Sequence, residues 1–408
     1  MKCGLLGAKL GHSYSPQIHN HLGNYSYVLL EKSPEEVADF IKNSGFSGLN
    51  VTIPYKSTVI PCCDALSPIA ERLGAVNTIV RRADGRTIGH NTDYFGFDTM
   101  FQRSGLQVDG KKVLVLGTGG TSKTATAVLQ DHGAQVVIIS RSGENNYSNI
   151  HLHANASVIV NTTPVGMYPN TGLSPVCLDR FPQLEGVLDV IYNPARTQLL
   201  LDAEKRGLVS MNGLLMLVAQ AKESAEWFTG NAIANEKIDD IHALLQRQME
   251  NIILVGMPGS GKSTVGRVVA ERLGKTFIDA DTQIAEKAGC TIPEIFANRG
   301  EAAFRAIETE VLAEIGKLSG KVIATGGGCV TKSENFPLLH QNGRIFWLQR
   351  DVAALPTDGR PLSQATALEE MYRIRQPLYH RFADHCVDNN NTPADAVETI
   401  LKLWEESK

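Results

Sequence analysis

An α/β protein built on parallel sheets is predicted by three observations. Apolar strand-like runs alternate with amphipathic segments through most of the chain, as in "KVLVLG" then "TSKTATAVLQDHG" and "NIILVG" then "KSTVGRVVAERLG". That order suits parallel strands, which can be joined only through a crossover segment. Two glycine-rich turns, at 117–120 and 256–261, each stand between an apolar run and an amphipathic one. The length of 408 residues exceeds one ordinary core and predicts roughly two to four domains.

Composition narrows the partners to small molecules. With 43% hydrophobic residues, 20% charged residues and a net charge of −4, the chain has the balance of a globular protein without the basic footprint of a nucleic-acid binder. No run approaches the roughly 18 apolar residues of a membrane span, and glycine and polar residues interrupt "MKCGLLGAKLGHSYS" before a signal-peptide core could form. A cytoplasmic location is expected; oligomeric state is not readable. The seven cysteines are odd in number and form no CxxC pair, so they read as reduced thiols rather than as disulfide or zinc ligands. The doublets His19/His21 and His151/His153 lack accompanying Cys, Asp or Glu at ligand spacing and read as surface or polar-loop histidines.

Residues 1–100 carry small polar groups in apolar surroundings: "GHSYSPQIHN", "GLNVTIPYK", "GAVNTIV" and "GHNTDYFGF". Each could be turn or cap chemistry. Together Ser13, Ser15, Thr52, Asn77 and the pair Lys56 and Asp93 suit a polyhydroxylated carboxylic acid.

Residues 101–212 read as a Rossmann-type dinucleotide domain. Gly117, Gly119 and Gly120, followed by Thr121, form a strand-to-helix turn whose backbone N–H groups can approach a pyrophosphate, with Ser122 where a third glycine is usual. The next strand, "QVVIIS", ends in Ser140, Arg141 and Ser142 rather than in an acid. A guanidinium there suits the 2′-phosphate of NADP; a solvated loop arginine is the alternative. The polar helical stretch 231–250 is the candidate boundary, or else a terminal helix of the first domain.

The first 240 residues or so resemble shikimate dehydrogenase, through the SxS pair, NVTxPxK, the GAxNT turn and NTD, and downstream through "VNTTPVGM", "DVIYNPARTQLL" and "GLLMLVAQAKESAEWFTG". The resemblance implies that Ser13 and Ser15 hold the substrate carboxylate, that Thr52, Asn77, Asp93, Tyr192 and Gln220 meet ring hydroxyls, and that Lys56 and Asp93 are the catalytic pair. It also implies a nicotinamide site near Gly213, helices around 213–245 returning to the N-terminal domain, and a cleft between the two domains. Ketone reduction needs a hydride at carbon and a proton at the developing alkoxide; a lysine, cationic at neutral pH with its ordinary pKa of about 10.4, can supply or orient that proton. Where many relatives read NRT, this chain reads SRS, which retains Arg141.

From residue 251 a P-loop pattern is complete: Gly256, Gly261, Lys262 and Ser263 follow a strand and open a helix. Backbone N–H groups from Gly259 through Thr264 would cradle ATP phosphates, Lys262 would offset their charge, and Ser263 would reach Mg²⁺. Asp279 and Asp281 alternate, which on a strand sends them to opposite faces, although a loop starting there could make them converge. One can serve the metal and the other an acceptor hydroxyl. Arg305 and Arg375 can fork a carboxylate, and Gly326, Gly327 and Gly328 allow close backbone approach.

With "FIDAD", "GEAAFRAIE", "ATGGG", "GRPL" and "RIRQPLYHRFAD", residues 251–408 resemble shikimate kinase. That resemblance makes Asp281 the residue orienting the acceptor hydroxyl, Asp279 a Mg²⁺-side acid, Arg305, Gly327 and Arg375 shikimate binders, and Arg360 the arginine of a phosphate-closing lid. The lid segment "QRDVAALPTD" is shorter than in many relatives and lacks the arginine they often stack on adenine. The expectation is a fusion of two consecutive enzymes, reducing 3-dehydroshikimate with NADPH and then phosphorylating shikimate with ATP. The alternatives are a quinate or broader hydroxy-acid dehydrogenase in the first half, or a non-catalytic binding module in either half.

Overall fold

In the computed structural model, which describes residues 1–11, 13–355 and 365–406, the chain separates into two compact units. One comprises residues 1–165, 173–192 and 199–244, and the other 166–172, 193–198 and 245–408.

The first unit holds two sheets. Its elements begin with β1 (Lys2–Gly7), α1 (Ser15–Leu22), β2 (Ser26–Glu31), α2 (Pro34–Asn43), β3 (Gly48–Val51), β4 (Ala65–Leu66), α3 (Pro68–Leu73), β5 (Thr78–Arg81), β6 (Thr87–His90) and α4 (Asp93–Ser104). Local chemistry starts the helices: Ser33 and Glu36 form a capping box on α2, and Ser67 accepts from Ala70 N at 3.3 Å ahead of Pro68 on α3. The sheet order is β2-β1-β3-β5-β6-β4. Parallel pairing was expected from the alternation, yet β3/β5 and β5/β6 are antiparallel. "TIVRRADGRTIGH" is the reason: a turn at Asp84 and Gly85, the latter at φ 87°, joins β5 to β6 without a crossover.

The second sheet is made by β7 (Lys112–Leu116), α5 (Gly120–Asp131), β8 (Gln135–Ile139), β9 (Val158–Asn161), β10 (Gly186–Asp189), α6 (Gln198–Lys205) and β11 (Val209–Met211). It is wholly parallel, in the order β11-β10-β9-β7-β8. The order in which strands are added reverses at β7, with β8 on one side and β9 on the other, so the carboxyl ends of β7 and β9 form the crevice where doubly wound sheets bind ligands. α7 (Leu214–Thr229) then packs along α4, where a Cβ on Gly96 would lie 2.7 Å from Met216 O. α8 (Glu236–Met249) buries Ile238, Ile241, Leu245 and Met249, and the division between the units falls within it.

The second unit contains β12 (Asn251–Val255), α9 (Lys262–Leu273), β13 (Thr276–Asp279), α10 (Ala280–Ala288), α11 (Ile292–Ile315), β14 (Lys321–Ala324), α12 (Asn335–His340), β15 (Gly343–Gln349), α13 (Ala365–Phe382), β16 (His385–Asp388) and α14 (Pro393–Glu406). All pairings are parallel in the order β13-β14-β12-β15-β16, with β12 buried throughout. The switch between β14 and β15 lies at the end of β12, where the P-loop begins.

One expectation fails outright. His19 is 1% exposed, not a surface histidine: Ser15, Ile18, His19 and Leu22 form the inner stripe of α1. Its Nδ1 lies 2.6 Å from the Tyr25 hydroxyl and its ring stacks on Tyr27 at 3.9 Å, and burial lowers its pKa to about 3. His21 and His151 are exposed and His153 is half-buried. Among the described residues no cluster of His, Cys, Asp or Glu could hold a metal, all seven cysteines are free, and no helix is long and apolar enough to cross a membrane.

Candidate active sites

In the first unit, Lys56 follows β3 and Asp93 opens α4. Lys56 Nζ donates to Asp93 Oδ2 at 2.5 Å, with side chains only 19% and 10% exposed. Asp93 occupies the first turn of α4, where the helix dipole and unpaired N–H groups favour a carboxylate. Asn77 fixes the entry to that helix: its Oδ1 accepts from Thr92 N at 2.7 Å. Thr92 Oγ1 in turn reaches Gln220 Oε1 at 3.5 Å.

Around Ser13 and Ser15, the Ser13 hydroxyl donates to Ser15 Oγ at 3.1 Å at the N-terminus of α1. Tyr14 meets the Tyr192 ring edge-on at 6.2 Å, which brings Tyr192 to the same turn. Burial raises the Tyr192 phenol above its ordinary pKa, so it is a neutral donor. Thr52 N donates to Leu6 O at 2.9 Å, which seats Thr52 beside the end of β1.

A buried network joins these groups. The Tyr27 hydroxyl, bonded to Ser15, donates to Asn50 Oδ1 at 2.8 Å; Asn50 Nδ2 donates to Ser224 Oγ at 2.7 Å; and Thr78, Thr92 and Ser224 lie 3.0–3.1 Å apart. Asn50, Thr78, Thr92 and Ser224 stand within the polar segments, and none of the four is among the residues that the sequence motifs point to. Their signal was the clustering of small polar residues among apolar ones, and only burial shows that they form one scaffold.

The dinucleotide turn faces this constellation. Gly117 has φ 109°, and a Cβ there would lie 2.9 Å from Thr162 Oγ1, at the crevice between β7 and β9. Gly119 caps α5, Gly120 and Thr121 open it, and Ser122, in the usual glycine place, donates to Gly117 O at 2.7 Å and so ties the turn. A Cβ on Gly120 would lie 3.9 Å from Lys56 Cδ, so the turn and the Lys56–Asp93 pair are neighbours. Past β8, Ser140 Oγ accepts from Gly143 N at 2.7 Å, and Arg141 is exposed. Gly213 caps α7 against Val190, with its N–H on Ile191 O at 3.0 Å.

In the second unit a cavity of about 540 Å³ gathers Gly259, Gly261, Lys262, Ser263, Thr264, Asp279, Asp281, Arg305, Gly327 and Arg375. Lys262 Nζ donates to Gly256 O and Met257 O, both at 2.9 Å, and Ser263 Oγ donates to Asp279 Oδ2 at 2.6 Å. Of the two arrangements open for Asp279 and Asp281, convergence is found. α10 begins at Ala280, so Asp279 is its N-cap and accepts from Asp281 N at 3.1 Å, and both line one cavity. Arg375 Nη1 and the Tyr379 hydroxyl donate to Gly327 O. A Cβ on Gly328 would lie 2.1 Å from Arg305 Nη2, so a side chain there would displace the guanidinium.

Arg305 has partners that sequence reading did not assign. Its Nη1 donates to Glu308 Oε2 at 2.7 Å and its Nη2 to Glu301 Oε1 at 3.2 Å. Glu308 is fully buried; burial pushes its pKa above the ordinary carboxylate value, against the pull of Arg305. Its Oε1 has no hydrogen-bond partner among the described residues and lies near the Gly326 side of the cavity beside Asp281. Arg350 also lines the cavity without having been singled out. Arg360 lies outside the described residues.

Residues 5–79 match the family described as shikimate dehydrogenase substrate binding domain, and residues 258–405 match the shikimate kinase family. A curated shikimate dehydrogenase (NADP(+)) of Clostridium perfringens is 35% identical over 265 residues, spanning 60% of this chain and 97% of the relative. A solved shikimate dehydrogenase from Peptoclostridium difficile is 38% identical, with TM-score 0.56, over 60% of this chain and 98% of its own. A quinate dehydrogenase from Corynebacterium glutamicum, solved with NAD, is 28% identical, with TM-score 0.54, over 59% of this chain and 97% of its own.

Proposed function

Since the chain belongs to the shikimate dehydrogenase family in its first part and carries a shikimate kinase domain in its second, we propose that it reduces 3-dehydroshikimate with NADPH and phosphorylates shikimate to shikimate 3-phosphate with ATP and Mg²⁺. The observation that carries the first half is the Lys56–Asp93 pair at 2.5 Å beside the turn at Gly120. Gly117, Gly119, Gly120 and Thr121 fit a pyrophosphate, because the turn leaves the N-terminus of α5 open, and Arg141 fits a 2′-phosphate. Ser140 and Gly213 would border the two ends of that cofactor. NADPH held there supplies the hydride.

Lys56 presents an ammonium to the developing alkoxide, and Asp93 holds that ammonium in place. Ser13 and Ser15, with the N-terminus of α1, receive the carboxylate; Thr52, Asn77, Tyr192 and Gln220 receive ring hydroxyls. Asn77 spends its oxygen on Thr92, which leaves its amide N–H groups to donate to substrate.

In the second half ATP with Mg²⁺ supplies the phosphoryl group. Ser263 and Asp279, already 2.6 Å apart, would hold the ion, while Gly259, Gly261, Thr264 and Lys262 hold phosphates. Asp281 orients the acceptor hydroxyl, and Arg305, Gly327 and Arg375 hold the carboxylate end. Arg360 is proposed as the lid arginine.

The test is a coupled assay on the purified chain with 3-dehydroshikimate, NADPH, Mg²⁺ and ATP. Appearance of shikimate and then of shikimate 3-phosphate is expected, and absence of the second product would reject the combined reading. Oxidation of quinate with NAD outpacing that of shikimate with NADP would assign the first half to the other dehydrogenase.

A further inference from the structure

We propose that Arg350 is a nucleotide-phosphate contact of the second unit, approaching the triphosphate from the end of β15 opposite Lys262. The inference rests on the kinase reading above. Four cationic side chains line the 540 Å³ cavity: Lys262, Arg305, Arg350 and Arg375. Arg305 is held by Glu301 and Glu308, Arg375 bonds Gly327 O, and Lys262 bonds two carbonyls of its own loop. Arg350 makes no ion pair among the described residues, and its buried Nε has no hydrogen-bond partner there. Burying part of a guanidinium against a cavity with a donor unmatched costs stability unless a ligand supplies the acceptor.

Its position selects the ligand. β15 pairs with β12 up to Val255↔Trp347, and the P-loop starts one residue later. A Cβ on Gly256 would lie 2.6 Å from Leu348 O, so loop and strand end touch. The residues flanking Arg350 are tied to one turn: Asn389 N donates to Gln349 O at 2.8 Å, and Asp351 N to Asn390 Oδ1 at 2.7 Å. The same turn clamps the P-loop, because Asn389 Nδ2 donates to Ser260 O at 2.6 Å. Arg350 is thus fixed to the phosphate-cradling loop, whereas Arg305 and Arg375 gather at Gly327 and Gly328. A triphosphate stays anionic after Mg²⁺ and one lysine have acted, and a guanidinium bonds phosphate oxygens well.

The test uses the full chain with Arg350→Met and Arg350→Lys, measuring affinity for ATP, for inorganic tripolyphosphate and for shikimate by calorimetry, together with kinase turnover. Arg350→Met should weaken ATP and tripolyphosphate alike by about tenfold and leave shikimate within about twofold. Arg350→Lys should recover part of the loss, and it carries the test if the methionine variant does not fold. Unchanged ATP affinity overturns the proposal. So does a loss confined to ATP, which would mean adenine contact, or a loss confined to shikimate, which would place Arg350 at the acceptor end. If the wild-type chain itself does not phosphorylate shikimate, the kinase reading fails; if it does and Arg350→Met binds ATP normally, only this inference fails.

Discussion

Arg141 stands exposed just beyond β8, where the next residues turn back through Ser140 and Gly143. Such a guanidinium has little to do for the fold and is free to meet a 2′-phosphate. Arg141→Ala should therefore weaken NADPH by about tenfold or more, the worth of one charge-assisted contact of roughly 1.5–3 kcal/mol, and barely change NADH. Cofactor titrations giving equal losses for both would remove Arg141 from the site. This residue was legible because a strand end after a glycine turn is a fixed place in the fold. Glu308 was not: an Arg and a Glu three apart on a helix read as a solvated pair, and only packing reveals that Glu308 is fully buried.

At the scale of elements, α1 shows how a helix face can be read and how it was misread. Ser15, Ile18, His19 and Leu22 recur at helical spacing and form the buried stripe, whereas the surface expectation for His19 rests only on the lack of Cys, Asp or Glu at ligand spacing. Burial holds its pKa at about 3 against an ordinary 6.5. Because the native state resists the proton that the unfolded chain accepts, the neutral form's stability is intact above pH 6.5 and is lost as pH falls from 6.5 toward 3. Between pH 7 and 5 the cost is about 2 kcal/mol from this residue alone. Urea unfolding at the two pH values should show that loss in the wild-type chain and a smaller one in His19→Phe; equal losses would show that His19 is not the acid-sensitive group. Asp279 and Asp281 carry a second lesson. Strand periodicity separates them, and the early start of α10 brings them together: Asp279 ends β13 in register with Ala324, and Asp281 already stands in the first turn of the helix that Asp279 caps.

For the whole molecule, the dehydrogenase groups from Ser13 to Gln220 lie in the first unit and the cavity groups from Gly259 to Arg375 in the second. Each chemistry has its own phosphate turn and its own lysine. Lys56→Ala should accordingly abolish 3-dehydroshikimate reduction and leave phosphorylation of supplied shikimate near its starting rate, and Lys262→Ala should do the reverse. Separate assays of both variants check this, and loss of both activities from either change would show that the two sites depend on one another. The division between the units falls between Leu244 and Leu245, inside α8, which runs unbroken to Met249.

By itself the sequence determined the class of fold and the order of its modules, and it nominated the residues proposed for the two sites. Those depend on short-range patterns: strand–glycine turn–helix units, a complete P-loop, and polar groups set among apolar neighbours. Tertiary structure alone decided the shared scaffold of Asn50, Thr78, Thr92 and Ser224 and the burial of His19 and Glu308. It also placed Arg350 on the frame of the phosphate loop. The physical reason is common to these cases: whether a polar side chain is solvated, paired or left waiting for a ligand depends on groups far away in the chain, and no local pattern records them.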